Sequence, residues 1–125
     1  MRFDPEIMRS ILLTIEEMPA GRLFTGGFLD QEGKHDSAVL NEHAKILVDD
    51  KFLQGNYYSN NLGVPTHFII QGLTMKGHEF LANARNNTVW KKVVAKAQSE
   101  GTHFSITILN GLLKKAMEKY VGLED

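Results

Sequence analysis

Polar side chains on one face of a predicted helix carry the clearest chemical signal in the sequence. Asn41 and Lys45 are four residues apart within the helical pattern of residues 37–50, so they share a helix face. An asparagine amide pairs with the edge of adenine, and a lysine binds guanine or a phosphate. Helices that read DNA present such side chains in the major groove. The residues expected in or near that groove are Ser37, Asn41, Glu42 and Lys45.

A predicted β-hairpin follows this helix and adds a second group of polar candidates. Residues 52–59 and 66–70 are β-rich, and the asparagine, glycine and proline residues between them favour a turn at residues 60–65. Tyr57 and Tyr58 are adjacent on the first strand, so one should pack inward while the other is exposed. The hairpin residues that would contact a nucleic acid are Asn60, Asn61 and His67.

The charge balance does not favour a nucleic-acid partner. The 14 basic and 15 acidic residues give a net charge of −1, whereas DNA-binding domains are usually strongly basic. Residues 1–87 hold 8 basic and 11 acidic residues, and residues 88–125 hold 6 and 4. Six C-terminal lysines would therefore form a local basic rim on two neighbouring helices, or are ordinary solvated side chains. They are Lys91, Lys92, Lys96, Lys114, Lys115 and Lys119.

The residue types indicate neither catalysis nor metal binding. The chain has 5 histidines and no cysteine, and the histidines do not have the spacing of metal ligands. His78 and Glu79 resemble a catalytic pair, but neighbouring helical positions point about 100° apart. His43 and His78 are expected to be surface or packing residues. We therefore expect no catalytic residue, no metal, no cofactor and no enzymatic activity.

The size and composition predict one domain over residues 1–125. A chain of 125 residues with 42% apolar and 23% charged residues is in the ordinary globular range. We expect a core over residues 1–87 and a helical extension over residues 88–125. Because no apolar run approaches ~20 residues and the start is unlike a signal peptide, we expect a cytoplasmic protein without a membrane partner.

Two elements precede the polar helix. Residues 4–6, Asp-Pro-Glu, mark the start of a first helix with a capping carboxylate, a first-turn proline and an acid at the positive dipole end. Residues 19–21, Pro-Ala-Gly, should end it. The apolar pairs at 23–24 and 28–29 predict a small strand or hairpin. Asp36 or Ser37 should cap the polar helix, whose buried line would be Leu40, Ala44 and Leu47.

The elements after the hairpin complete the predicted architecture. The apolar run 68–70 leads into a helix capped by Thr74, so the order is helix, strand, turn, strand, helix, as in a winged helix. Thr88 should cap a further helix in which Trp90 is buried, and Ser105 should start the last. The predicted fold class is α+β, a winged helix-turn-helix with a small antiparallel sheet and two extra C-terminal helices.

Five segments carry a resemblance to a known family. They are the opening helix 8–17, residues 43–47, His-Ala-Lys-Ile-Leu, residues 72–81, Gly-Leu-Thr-x-x-Gly-His-Glu-Phe-Leu, residues 87–92, Asn-Thr-Val-Trp-Lys-Lys, and the closing apolar helix. They are similar to short uncharacterised proteins that occur widely in phages and bacterial prophages. The resemblance implies a winged-helix core with C-terminal helices and a phage ancestry. It implies no catalytic residue, because that family has no agreed activity.

The sequence departs from this family directly after the polar helix. Relatives tend to have Ala-Gly-Leu where this chain has Asp50, Lys51 and Phe52. A glycine there would form a left-handed helix cap without strain. Either Lys51 adopts that conformation, or the helix ends in a different way.

Two classes of partner follow from these observations. The predicted fold favours double-stranded DNA. The rival is a host or phage protein, or a second copy of the chain as a homodimer, bound by the polar helix or by a helix over residues 109–120. Four acidic residues in or beside the polar helix favour this rival, since they would repel phosphate. They are Asp36, Glu42, Asp49 and Asp50.

Overall fold

A computed structural model of the protein describes residues 3–19, 24–26, 36–99 and 106–122. Within these ranges the fold is mixed α+β, with five helices and three strands. The helices are α1 (Pro5–Glu16), α2 (Ser37–Asp49), α3 (Met75–Ala84), α4 (Asn87–Ser99) and α5 (Ile106–Gly122). The strands are β1 (Phe24–Gly26), β2 (Leu53–Ser59) and β3 (Pro65–Leu73).

The chain divides into two compact units, Met1–His78 and Glu79–Asp125. The boundary falls within α3, upstream of the division at residue 87 that the sequence suggested. The first unit holds α1, α2 and the sheet, and the second holds α4 and α5. The organisation of residues 1–125 as a single domain stays a prediction.

The three strands form one antiparallel sheet in the order β1, β3, β2. The predicted pairing of the two hairpin strands is confirmed, with Tyr57 opposite Phe68 and Tyr58 opposite His67. β3 extends three residues beyond the predicted end, to Leu73, which pairs with Leu53. β1 contains Phe24, one residue of the first predicted apolar pair, whereas residues 23, 28 and 29 lie outside the described residues.

α1 begins where the sequence placed it. The Asp4 side chain accepts a hydrogen bond from the Glu6 N–H at 2.9 Å, and Pro5 is the first helical residue. The helix ends at Glu16, with Glu17 as its C-cap, and so ends before the predicted stop at Pro19. The apolar face of α1 is buried in the first unit and consists of Ile7, Met8, Ile11, Leu12 and Ile15.

α2 packs against α1 and the sheet through an apolar face that includes one histidine. Asp36 is the cap, since its side chain accepts from the Ala38 N–H at 3.0 Å. The predicted line of Leu40, Ala44 and Leu47 is buried. His43 is also buried: its Nε2 accepts from the Asp4 N–H at 2.8 Å, and its Nδ1 lies 2.8 Å from the Val39 carbonyl oxygen. Nδ1 therefore carries the proton, and His43 is a packing residue, as expected.

A residue in the left-handed conformation closes α2. Lys51 has a φ of 67°. Its N–H donates to the Val48 carbonyl at 3.1 Å, and the Phe52 N–H donates to the Leu47 carbonyl at 2.8 Å. These are the two bonds of a Schellman motif, whose left-handed position is usually glycine. Of the two alternatives that the sequence left open, Lys51 takes the left-handed one.

Replacing Lys51 by glycine should raise the free energy of unfolding by about 1 kcal/mol, because glycine has no Cβ to oppose a positive φ. The Lys51 side chain is exposed, so little packing is lost. Denaturant titration measures the difference. Lys51→Ala retains the Cβ and is the control. An equal gain in both variants would show that loss of the long side chain, and not the backbone conformation, causes the effect.

The second unit has its own apolar core around Trp90. Trp90 is 1% exposed, as predicted, and meets the edge of the Phe80 ring with centroids 6.3 Å apart and planes at 85°. Aromatic pairs favour this edge-to-face arrangement. Other buried apolar residues of this unit are Leu81, Ala84, Val89, Val93, Ala97, Ile106, Leu109 and Leu113.

The predicted cap of α4 is wrong by two residues. The Asn86 Oδ1 accepts a hydrogen bond from the Val89 N–H at 3.1 Å, so Asn86 is the capping side chain and Thr88 lies inside the helix. Asparagine caps a helix at least as well as threonine does. The predicted start of the last helix at Ser105 lies outside the described residues.

Two features are absent from the described ranges. These ranges contain no helix that is long and apolar enough to span a membrane. They also contain no cluster of at least three His, Cys, Asp or Glu residues arranged to bind a metal ion.

Candidate functional site

The four polar residues predicted on α2 occupy its first half and middle. Ser37 is exposed at the first helical position, whereas Asn41, Glu42 and Lys45 are half-buried. α2 therefore presents a polar surface, as the sequence suggested, although most of that surface is partly shielded by neighbouring side chains.

A small network on this surface engages the lysine of α2. The Lys45 Nζ lies 3.8 Å from Asp49 Oδ2, one helical turn away. The Tyr57 hydroxyl, on β2, donates to Asp49 Oδ1 at 2.7 Å. A single carboxylate thus holds both the lysine and the tyrosine, and it links α2 to the hairpin.

The Asp49 carboxylate also affects the ionisation of Tyr57. The pKa of Tyr57 is raised above its usual value, mainly because its hydroxyl donates to the Asp49 carboxylate. Burial and the negative charges of Asp49 and Glu42 act in the same direction. A negative charge on the Tyr57 oxygen is therefore disfavoured.

Asp49→Asn should lower the pKa of Tyr57 toward its ordinary value, since the hydroxyl then loses a charged acceptor. A raised folded-state pKa contributes stability below the unfolded-state pKa, and this contribution is lost as the pH rises through the folded-state value. The stability difference between wild type and Asp49→Asn should therefore shrink in strongly alkaline solution. Phenolate absorbance against pH measures the shift, with Tyr57→Phe identifying the signal.

Asn60 builds the hairpin turn. Its Oδ1 accepts hydrogen bonds from the Leu62 N–H at 2.9 Å and the Val64 N–H at 3.1 Å. Its own N–H donates to the Val64 carbonyl at 2.9 Å. The Asn60 side-chain oxygen, which was expected to face a nucleic acid, therefore accepts hydrogen bonds within the turn. Its neighbour Asn61 is exposed.

Asn60→Ala should lower the free energy of unfolding by about 1–2 kcal/mol, because two backbone N–H groups of the turn lose their acceptor. Asn60→Asp retains an acceptor oxygen and should have a smaller effect. Asn61→Ala is the matched control at the next position, and thermal melts compare the three variants. Equal stability of the two alanine variants would contradict a structural role for Asn60.

His67 lies on the other face of the sheet from α2. It pairs with Tyr58, and their ring centroids are 6.5 Å apart. Tyr57 and Phe68, the next pair, have ring centroids 5.9 Å apart and point to the opposite face, toward Asp49. Tyr58 is 57% exposed and Tyr57 is partly buried, so the predicted alternation is confirmed. The structure does not bring His67 together with the α2 candidates.

Sequence reasoning did not find the Lys45, Asp49 and Tyr57 network. The spacing of Lys45 and Asp49 was a readable signal, since residues four apart on a helix form ion pairs. The contact with Tyr57 had no such signal, because it depends on how β2 folds back along α2.

Comparison with known proteins shows the family of the chain. A model of the family described as hypothetical protein (DUF2513) matches residues 2–103. The chain belongs to this family. An uncharacterized protein of Haemophilus influenzae is 30% identical over 110 residues, which cover 85% of this chain and 86% of the relative. No solved structure matches the chain. The resemblance to a family of uncharacterised proteins is thus confirmed, and membership assigns no site residue.

Proposed function

We propose that this DUF2513 protein is a non-catalytic winged-helix module that binds a partner protein through α2 and the adjoining β2–β3 hairpin. The partner surface would carry arginine or lysine beside apolar side chains. The observation that carries the proposal is that Lys45 pairs with Asp49 and is the single Lys or Arg among residues 36–50, which hold four acidic residues. A phosphate backbone needs available cations, whereas a basic protein surface needs acceptors.

The winged-helix part of the proposal is supported by the sheet and by the element order. The hairpin strand β3 lies between β1 and β2, and α2 directly precedes the hairpin. α1 and α2 pack together in the same unit. A winged helix serves either as a DNA reader or as a protein-binding module, so the chemistry of its surface has to decide between them.

The hairpin surface favours a protein partner. Residues 53–73 contain no Asp, Glu, Lys or Arg. On this uncharged hairpin Leu62 is 88% exposed and Val64 36%. Exposed apolar side chains of this kind gain by contact with a protein surface. Neither side chain can donate a hydrogen bond to a phosphate group.

Double-stranded DNA is the second candidate partner. The order of helices and strands, which resembles that of a winged helix, favours it. In that case Asn41→Ala should reduce discrimination between sequences, since asparagine reads a base. Lys45→Ala should instead weaken all sequences similarly and reduce the salt slope by about one unit.

An origin in a phage or prophage and a cytoplasmic location complete the proposal. The origin rests on the resemblance carried by residues 72–81 and 87–92. A small non-catalytic protein of this origin would act by binding a host or phage protein.

Titration of a labelled DNA duplex at about 50 mM salt tests the proposal, because non-specific phosphate binding is strong under these conditions. Wild type should give no change in fluorescence anisotropy. A variant with Glu42→Lys and Asp49→Lys should gain weak, salt-sensitive binding, which shows that the assay detects such contacts. Duplex binding by wild type that Lys45→Ala weakens would overturn the proposal in favour of DNA.

A further inference from the structure

Helices α4 and α5 of the second unit form a groove with an apolar floor. Its volume is about 470 Å³. Val93 from α4 and Leu112 and Ala116 from α5 line it, and the last two are only half-buried. Within this unit, part of the apolar surface of α5 is therefore available from solvent.

Lysines surround this apolar floor on both sides. α4 contributes Lys92 and Lys96, and α5 contributes Lys115 and Lys119, with Glu118 as the acidic lining residue. These are four of the six lysines in the predicted basic rim. The other two, Lys91 and Lys114, are exposed next to them in sequence but do not line the groove.

The spacing of these lysines gives each of the two helices that line the groove a short row of positive charge. Lys92 and Lys96 are four residues apart, which corresponds to about 6 Å along a helix. Lys115 and Lys119 have the same spacing on the other side. Their aliphatic stems extend the apolar walls while the ammonium groups stay in water. The groove thus combines an apolar centre with cations along both edges.

We propose that this groove binds an acidic amphipathic helix of a partner protein. Such a helix carries apolar residues at positions i, i+3, i+4 and i+7, which would enter the groove over Val93, Leu112 and Ala116. Glutamate or aspartate on both edges of that stripe would pair with the two lysine rows.

The two rows of charge distinguish this occupant from other anions. A fatty acid has one carboxylate and would engage one end of one row. A nucleic-acid backbone would pair with the lysines but gains nothing from the apolar floor. An acidic amphipathic helix would contact both the apolar floor and the two lysine rows. The groove therefore complements this occupant better than it complements the other anions.

Binding of a designed peptide to the full chain tests this inference. The probe is a fluorescein-labelled peptide of about 15 residues, with leucine on one helical stripe and glutamate along its edges. The test variant carries Lys92→Glu and Lys115→Glu, and the matched control carries Lys91→Glu and Lys114→Glu. Both variants have the same net charge, and thermal melts verify that both fold.

The test variant should bind the peptide at least about tenfold more weakly than wild type, because two attractive pairs become repulsive. The control variant should change affinity by less than about twofold. A peptide with serine in place of leucine should not bind. Binding should weaken as salt increases.

Three results would overturn the inference: no peptide binding by wild type, equal losses in both variants, or equal binding of the serine peptide. Displacement by laurate or by a DNA duplex at lower concentration than unlabelled peptide would assign the groove to that anion instead. The inference is independent of the proposed function of α2. The variant with Glu42→Lys and Asp49→Lys should bind the peptide like wild type, so failure at one surface is distinguishable from failure at the other.

Discussion

Trp90→Ala should lower the free energy of unfolding by about 3–5 kcal/mol, because it leaves a large cavity at a fully enclosed position. Trp90 is 1% exposed, and its ring meets the edge of Phe80 in the same unit. The substitution therefore removes apolar burial and an aromatic pair together. Denaturant unfolding followed by circular dichroism measures the loss.

Leu62→Ala is the control for Trp90→Ala. Leu62 is 88% exposed at the hairpin tip, so its truncation should change stability by no more than about 0.5 kcal/mol. If Trp90→Ala unfolded at the same denaturant concentration as wild type, Trp90 would be a surface residue, and the described core of the second unit would be wrong.

Gly77→Ala should lower the free energy of unfolding by about 2–3 kcal/mol, since the added methyl group overpacks the start of α3. A Cβ at Gly77 would collide with the Phe52 carbonyl oxygen and lie 3.2 Å from the carbonyl carbon. The same oxygen accepts the Thr74 N–H at 3.1 Å. The contact is with backbone, so no side chain can move aside to relieve it.

Gly111→Ala is a matched substitution on α5 with the opposite expected sign. A Cβ at Gly111 would have no neighbouring atom within 4 Å, and alanine is favoured over glycine inside a helix by about 1 kcal/mol. Thermal melts should therefore show a loss for Gly77→Ala and a gain for Gly111→Ala. Equal stability of wild type and Gly77→Ala would contradict the close approach of α3 to Phe52.

Local signals in the sequence were sufficient for several elements of the fold. Thr74 caps α3 through a hydrogen bond from the Gly77 N–H at 3.1 Å, and Asp4 caps α1 in the same manner. The hairpin pairing was predictable because the two strands are separated by a short turn. At Lys51 the sequence narrowed the helix end to two alternatives, of which the structure has the left-handed conformation. Each of these features depends on residues that are close in sequence.

The candidate site was less predictable, because its chemistry depends on contacts between elements. The sequence placed Asn60 among ligand contacts, but two backbone N–H groups of the turn take its acceptor. It grouped His67 with α2, but the alternation of β3 points that side chain to the other face. Which of the six C-terminal lysines line the groove also depends on how α4 packs on α5. Lys92 lines the groove and Lys91 does not, although a single position separates them.

Photocrosslinking from the surface of α2 and the hairpin tests the proposed function most directly. A benzoylphenylalanine at Ser37 or at Leu62, both exposed, reports what lies against this surface in the cells that encode the protein. Gln98, exposed on α4, is the matched control position. Mass spectrometry should identify one polypeptide that crosslinks from Ser37 and Leu62 but not from Gln98, and Glu42→Lys should abolish the adduct. Nucleotide adducts, or adducts that are the same from all three positions, would contradict the proposal.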